Sequence, residues 1–423
     1  MLQPNFIRDN FELVLNGLAK RGLDMSADLQ AVLYTDEERK STQKQLDDLL
    51  AESNLLSKEI GDLYKSGQAA LAETKKARTQ EIKSVEKELA LKLSEIEGQL
   101  VDQLRAIPNI PHHSVPKGKS AEDNIEVMRS GEIPTLYDQA KPHWELAKEF
   151  DLIDFELGVK ITGAGFPVYK GKGARIQRAL INFFLDKNIE AGYQEVLPPH
   201  FVNEDSAFGT GQLPDKEGQM YVVPLDGLYA IPTAEVPVTN LYRNDLLEFQ
   251  QLPIKNTAYT PCFRREAGSY GKDVRGLNRL HQFDKVEVVV IEKPENSYET
   301  LEGMVRHVAT LLDALELPYR VLKLCGGDMG FTSALTYDFE VWSAAQERWL
   351  EVSSVSNFET FQSNRLKLRF RPEDGGKPQL CHTLNGSSLA LPRVLAAILE
   401  NHQDSEGIRI PTALIPYTHF DRI

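Results

Sequence analysis

Arg264 and Glu266 stand at alternate positions, followed by Gly268, Gly271 and Gly276, and then by His281, Phe283, Lys285 and Glu287, again at alternate positions. Alternate side chains of a strand share a face. A strand, a flexible turn and a returning strand would therefore gather a guanidinium, an aromatic ring and a carboxylate on one surface. Arginine is flat and always charged, so such a set suits the holding of an anion. A solvent-facing hairpin with cross-strand ion pairs satisfies the same spacing. Further on, Glu351-Val352-Ser353-Ser354 offers a carboxylate and a hydroxyl, oxygen ligands of the kind Mg2+ prefers. A partly exposed strand with a surface glutamate would read the same.

These residues need a framework. Short β-rich runs at 286–291 and 319–324 mix with helical stretches near 174–191 and 298–315. The mixture predicts an α+β domain on a largely antiparallel β-sheet flanked by helices. The preceding segment is of another kind. Over residues 36–63, Leu46, Leu49, Leu56, Ile60 and Leu63 recur, with Ser53 in the remaining slot of the 3-4 spacing. After Ser66-Gly67 come Ile82, Val85, Leu89, Leu93, Ile96, Leu100 and Leu104, at steps of three or four. Two such seams can bury only each other, which predicts an N-terminal antiparallel two-helix coiled-coil arm. Ile107-Pro108-Asn109-Ile110-Pro111 ends the second helix, because proline lacks the amide donor and restricts the residue before it. The expected domains are residues 1–106 and 107–423.

The 423 residues are 26% charged and 41% hydrophobic, which excludes a disordered or fibrous chain. A net charge of -14 argues against a general nucleic-acid coat and against a DNA partner, since non-specific binding rests on phosphate neutralisation. Any nucleic-acid contact is expected to be local. Between positions 65 and 83 the bases Lys65, Lys75, Lys76, Arg78 and Lys83 face only Glu73 and Glu81. A solvated helix face is the plain alternative for that run. Cys262, Cys325 and Cys381 lie far apart without a CxxC spacing, so they read as reduced core thiols in a cytoplasm. Acids at Asp9, Glu12, Asp24 and Asp28 do not fit a leader, and no stretch reaches membrane-spanning length.

Arg264-x-Glu266, the glycine-bearing loop and His281-x-Phe283 resemble the second signature motif of class II aminoacyl-tRNA synthetases. A helix over 176–191 running into Gly192-Tyr193-Gln194-Glu195-Val196-Leu197-Pro198-Pro199 resembles the first, the dimer-interface motif. Asn385-Gly386-Ser387-Ser388-Leu389-Ala390-Leu391-Pro392-Arg393, before the apolar run 394–399, resembles the third. Within the class, the chain is most similar to the bacterial-type seryl family. Thr233-Ala234-Glu235 within 231–237, together with Glu287, Asn385 and Ser387, matches that family's amino-acid positions. Taken singly, Thr233 would cap a turn and Ser387 would precede a helix as its N-cap. About thirty residues follow Arg393, leaving no room for a C-terminal anticodon-binding domain, and the arm stands in its place.

The resemblance implies ATP-dependent activation of L-serine and its transfer to tRNA(Ser), with tRNA(Sec) as a further acceptor through its shape. It implies catalytic roles for Arg264, Glu351 and Arg393, and an ATP site of Arg264, Arg265, Glu266, Phe283, Glu351, Val352, Ser353, Ser354 and Arg393. Mg2+ would sit on Glu351 and Ser354. Serine would meet Thr233, Ala234, Glu235, Arg264, Glu287, Asn385 and Ser387. On the arm, Lys65, Lys75, Lys76, Arg78 and Lys83 would contact tRNA. A cytoplasmic homodimer without a membrane partner is expected. Two other readings fit less well: a ligase loading a carrier protein should lack the arm, and a non-catalytic RNA- or protein-binding paralogue has no need of intact Arg264, Glu266, Glu351 and Arg393.

Overall fold

Leucine and isoleucine at 3-4 spacing shape the first part of the chain. The computed structural model describes residues 1–215, 217–267 and 275–423. They divide into one unit of Met1–Ala19 and Leu23–Pro108 and another of Lys20–Gly22 and Asn109–Ile423. In the first, α1 (Pro4–Asp9) and α2 (Phe11–Ala19) precede two long helices, α3 (Ser26–Lys65) and α4 (Ala69–Ala106). Gly67, at φ +76°, reverses the chain between them, and the Gln68 N–H closes back on the Leu63 carbonyl at 2.9 Å. This is the left-handed C-terminal turn that glycine permits.

The α4 seam buries Ile82, Leu93, Ile96, Leu100 and Leu104. Val85 departs from the expectation: it is 43% exposed, and Glu86 is half-buried in its stead. Counting back one heptad from Leu93 lands on Glu86, so the repeat passes beside Val85 rather than through it.

In the second unit, eight strands form one sheet among the described residues: β1 (Ile125–Ser130), β2 (Gln194–Glu195), β3 (Ile254–Phe263), β4 (Gln282–Glu292), β5 (Tyr319–Lys323), β6 (Leu335–Ser343), β7 (Arg348–Asn357) and β8 (His382–Ala390). Their order is β1-β5-β6-β7-β8-β4-β3-β2. Every pairing is antiparallel except that of β2 with β3. Six helices serve the argument: α5 (His143–Glu149), α6 (Gly171–Glu190), α7 (Glu235–Asn240), α8 (Ser297–Ala314), α9 (Thr360–Leu366) and α10 (Leu391–Asn401).

The α+β expectation holds, and β4 shows how the sheet is used. Val286, Val288 and Val290 are buried in one cluster with Phe183 and Phe184 of α6, Leu301 and Val308 of α8, and Val394 and Leu395 of α10. Phe283, Lys285 and Glu287 alternate with these valines and lie on the opposite face. An antiparallel sheet can thus bury one face under helices and keep the other for a site.

Candidate active site

The β3–β4 hairpin brings Arg264 over Phe283, with the guanidinium carbon 5.3 Å from the ring centre. The Arg264 Nε also donates to the Pro232 carbonyl at 3.4 Å. Glu266 departs from the alternation read in the sequence. β3 ends at Phe263 and Glu266 adopts φ +49°, so the strand alternation does not run on through it. Its carboxylate instead pairs with Arg279 at 3.0 Å. Arg279 follows the glycine-bearing loop and carries no periodic signal, so sequence reasoning missed it. Arg265 is exposed, and its backbone N–H donates to Gln219 at 2.8 Å. Gly268 and Gly271 lie outside the described residues.

Arg393 enters from the first turn of α10. Its Nε donates to the Asn278 carbonyl at 3.0 Å and its Nη1 to the Glu351 carbonyl at 2.7 Å. Burial pushes this guanidinium below its ordinary pKa. Glu351 pulls it back up, while Arg279 and Arg264 push it further down. Arg264 and Arg279 within electrostatic reach of Arg393, with Arg264 over the Phe283 ring, make a set whose chemistry suits a polyanion bearing a flat ring.

A β-bulge arranges the acidic side of the site. Opposite β6, Phe339 faces Ser353 and Glu340 faces Glu351, leaving Val352 as the extra residue. Glu351 and Ser354 are thereby brought to the same side, and the Ser354 hydroxyl donates to Glu351 Oε1 at 3.4 Å. Val352 is 1% exposed, so only its backbone can face a ligand there. Ser353 is also buried and donates to the Ser387 carbonyl at 2.6 Å.

Asp338, paired across the strands with Ser354, was not anticipated. Its Oδ1 is buried without a partner. Burial pushes its pKa well up, Glu351 adds to the rise, and the Ser354 hydroxyl opposes it. Among the described residues no three His, Cys, Asp or Glu side chains converge to hold a metal by themselves. Two carboxylates and a hydroxyl still fit Mg2+, which takes few protein ligands and completes its shell with phosphate oxygens and water. The orphaned Oδ1 is the observation that favours this fit.

Four residues beyond Phe283, Glu287 is 1% exposed. Its carboxylate accepts from Thr233 Oγ1 at 3.1 Å and Asn385 Nδ2 at 3.2 Å, and pairs with Lys285 Nζ at 2.7 Å. Ser387 lies directly opposite Glu287 on β8, a strand position, so it caps no helix. Thr233 does cap a turn, its hydroxyl accepting the Glu235 N–H at 3.2 Å while it donates to Glu287. Ala234 is fully buried beside them.

Glu235, in the first turn of α7, has its pKa raised to about 7 by burial and then by Glu287, against the opposing pull of Gln362, Lys285 and Asn385. Gln362 of α9 donates to Glu235 Oε1 at 2.6 Å and accepts from Thr383 at 2.7 Å. Gln362 lies 127 positions from Glu235 in the chain. No local pattern marks it. The result is a buried cluster of two acids with hydroxyl and amide partners, whose chemistry suits a small cationic, hydroxyl-bearing group.

Residues 224–402 match the tRNA synthetase class II core domain (G, H, P, S and T), and residues 1–111 match the Seryl-tRNA synthetase N-terminal domain. A serine--tRNA ligase of Salinibacter ruber is 50% identical over 424 residues, spanning 100% of this chain and 99% of that one. The chain belongs to the seryl-tRNA synthetase family. Its enzyme class is accordingly serine--tRNA ligase, within class II of the aminoacyl-tRNA synthetases.

Two solved seryl-tRNA synthetase structures share its fold from end to end. The enzyme of Pyrococcus horikoshii complexed with ATP has a TM-score of 0.91 at 36% identity, covering 100% of this chain and 99% of that one. The cytoplasmic serine-tRNA ligase of Naegleria fowleri in complex with AMP has a TM-score of 0.86 at 25% identity, covering 100% and 98%.

The arm that goes with a seryl-tRNA synthetase is less positive than its sequence suggests. Lys65 pairs with Asp62 at 3.5 Å, Lys76 with Glu73 at 2.8 Å, and Arg78 with Glu52 at 2.9 Å and Glu81 at 3.3 Å. Lys75 pairs with Glu59. Glu52 and Glu59 belong to the opposite helix and lie outside the stretch 65–83 where the charges were counted. Lys83 is exposed and has no ion-pair partner among the described residues.

Proposed function

We propose that the chain joins L-serine to ATP, giving seryl-adenylate and diphosphate, and then passes the seryl group to tRNA(Ser) with release of AMP. The carrying observation is on β4. Phe283 lies under Arg264, and four residues on, the buried Glu287 is gripped by Thr233, Lys285 and Asn385. In the first step an oxygen of the serine carboxylate forms a bond to the α-phosphorus, and the bond to the bridging oxygen of diphosphate breaks. A carboxylate is already a nucleophile, so the protein's work is to align the reactants and neutralise charge.

Arg264 stands where it can meet both the α-phosphate and the attacking carboxylate, and Arg393 and Arg279 add charge for the remaining phosphates. Phe283 offers the adenine a stacking face, while Glu266 and the backbone at Arg265 and Val352 to Ser354 border the nucleotide. Glu235 and Glu287 would take the serine ammonium and hydroxyl, with Thr233, Asn385 and Ser387 completing hydrogen bonds. An amino acid lacking the hydroxyl would leave buried groups unpaired, which costs far more than a missing methylene. Glu351, Ser354 and Asp338 would hold Mg2+. Bound there, the ion would offset triphosphate charge and orient the leaving group.

The same proposal takes residues 1–106 as the tRNA-binding domain and 107–423 as the catalytic one. An arm that reads an RNA by backbone and shape extends the acceptors to tRNA(Sec). A homodimer is supported by apolar surface around the first motif, where Leu197 is 81% exposed and Phe201 48%. No helix among the described residues is long and apolar enough to cross a membrane, and a cytoplasmic setting is part of this reading.

The deciding experiment is ATP–diphosphate exchange with Mg2+ and serine, threonine, alanine, glycine or cysteine. Exchange led by serine is expected; exchange led by another amino acid would overturn the specificity, and none at all would overturn the reaction.

A further inference from the structure

Glu400 lies seven residues after Arg393 on α10, two turns along the same helix face. Its side chain and that of His143 are both 0% exposed, and Glu400 Oε1 meets His143 Nδ1 at 2.7 Å. The His143 backbone N–H reaches the same oxygen at 3.0 Å, and Gln346 Nε2 does so at 3.1 Å. Glu400 Oε2 accepts the Ser343 hydroxyl. On the far side of the imidazole, the Leu277 N–H donates to His143 Nε2 at 2.9 Å. Because Nε2 accepts, the ring proton is on Nδ1 and is directed at Glu400.

The next residue of the same loop is Asn278. Its carbonyl receives Arg393 Nε at 3.0 Å, and its side chain donates to Gln346 at 3.1 Å. Two adjacent loop residues are thus tied to two turns of one helix, Leu277 through the imidazole to Glu400 and Asn278 directly to Arg393. Gly276 completes the fit: it adopts φ +61°, and a Cβ there would stand 2.2 Å from His143 Nε2.

We infer that His143 and Glu400 are positioning residues for ATP, fixing the returning end of the β3–β4 loop against the helix that presents Arg393. The inference rests on the ATP site proposed above. Neither group can act on substrate, being fully enclosed, and an apolar pair would fill the space at less desolvation cost. What the polar pair supplies is direction. It accepts one particular backbone N–H and sets the carbonyl after it, so the Arg393 guanidinium is aimed rather than merely packed.

The test uses the full chain and diphosphate exchange, with KM for ATP and for serine measured separately beside Tm. His143→Leu is expected to raise KM for ATP about tenfold and leave KM for serine within about twofold, while His143→Gln, which retains an acceptor, recovers part of the loss. Should His143→Leu not fold, Glu400→Gln keeps the shape and is read the same way. Folded variants in which both KM values move together, or neither moves, would overturn the inference. Absence of exchange in the unaltered protein would instead sink the ATP assignment itself.

Discussion

Arg393 takes its hold on β7 from the backbone of Glu351, not from its side chain: Nη1 donates to the Glu351 carbonyl at 2.7 Å, while the Glu351 carboxylate meets Ser354. The carboxylate thus acts on Arg393 only through its charge, while the hydrogen bond is to the backbone, and substitution can separate the two.

Glu351→Ala leaves the carbonyl in place. Metal-free ATP binding, followed by calorimetry, should change by less than about threefold, whereas Mg2+-dependent exchange should fall about a hundredfold. Parallel losses would show that the carboxylate holds Arg393 after all.

Asp338→Asn removes a charge beside Glu351 and keeps the shape. A Mg2+ titration of exchange should then need several-fold more metal at half-saturation, with the plateau recovered at high Mg2+. An unchanged Mg2+ curve would remove Asp338 from the metal site.

Glu235 sets a pH dependence. Its folded pKa, about 7, lies above the ordinary carboxylate range, so the folded chain binds this proton more tightly than the unfolded chain. Its contribution to stability is therefore most favourable at or below the ordinary carboxylate pKa, is lost as pH rises through about 7, and is flat above. Glu235→Gln should remove that decline from the Tm profile between about pH 5 and 8. In the unaltered enzyme the KM for serine should fall as pH rises through the same range, since an ammonium is held by the ionised acid. Identical Tm profiles for the two proteins would contradict this assignment.

On the arm, Lys83→Ala should weaken tRNA binding more than Lys75→Ala, because the Lys75 ammonium is already engaged by Glu59. The salt dependence of tRNA binding should drop by about one unit of log-log slope for Lys83→Ala. Serine-dependent exchange without tRNA should be unchanged in both. Equal effects of the two substitutions would mean that the ion pairs open on contact with RNA.

Much of this was legible because its signals are local. Phe283 and Glu287 follow from strand alternation on β4, and the arm from a heptad. Reading failed where geometry overrides periodicity. The positive φ at Glu266 sends its carboxylate to Arg279, and the bulge at Val352 makes partners of Glu351 and Ser354, which a regular strand would separate. It also failed where partners come from distant parts of the chain, as with Gln362 on Glu235, Asp338 beside Glu351, and His143 on Glu400. Val85 was lost to a smaller effect, a seam whose phase is set by neighbours a heptad away.

Phe283 and Glu287 are graduations on a single ruler. They stand four positions apart, about 13 Å along β4 at the ordinary rise. On the proposed reading one mark carries the adenine and the other the amino acid's polar groups, so the spacing of the two supports is set by backbone pitch. Sliding β4 by one residue would not adjust that gap; it would turn every mark to the wrong face. A lineage changing its amino acid must therefore recarve the groups around Glu287, while the spacing from there to the nucleotide's platform stays locked.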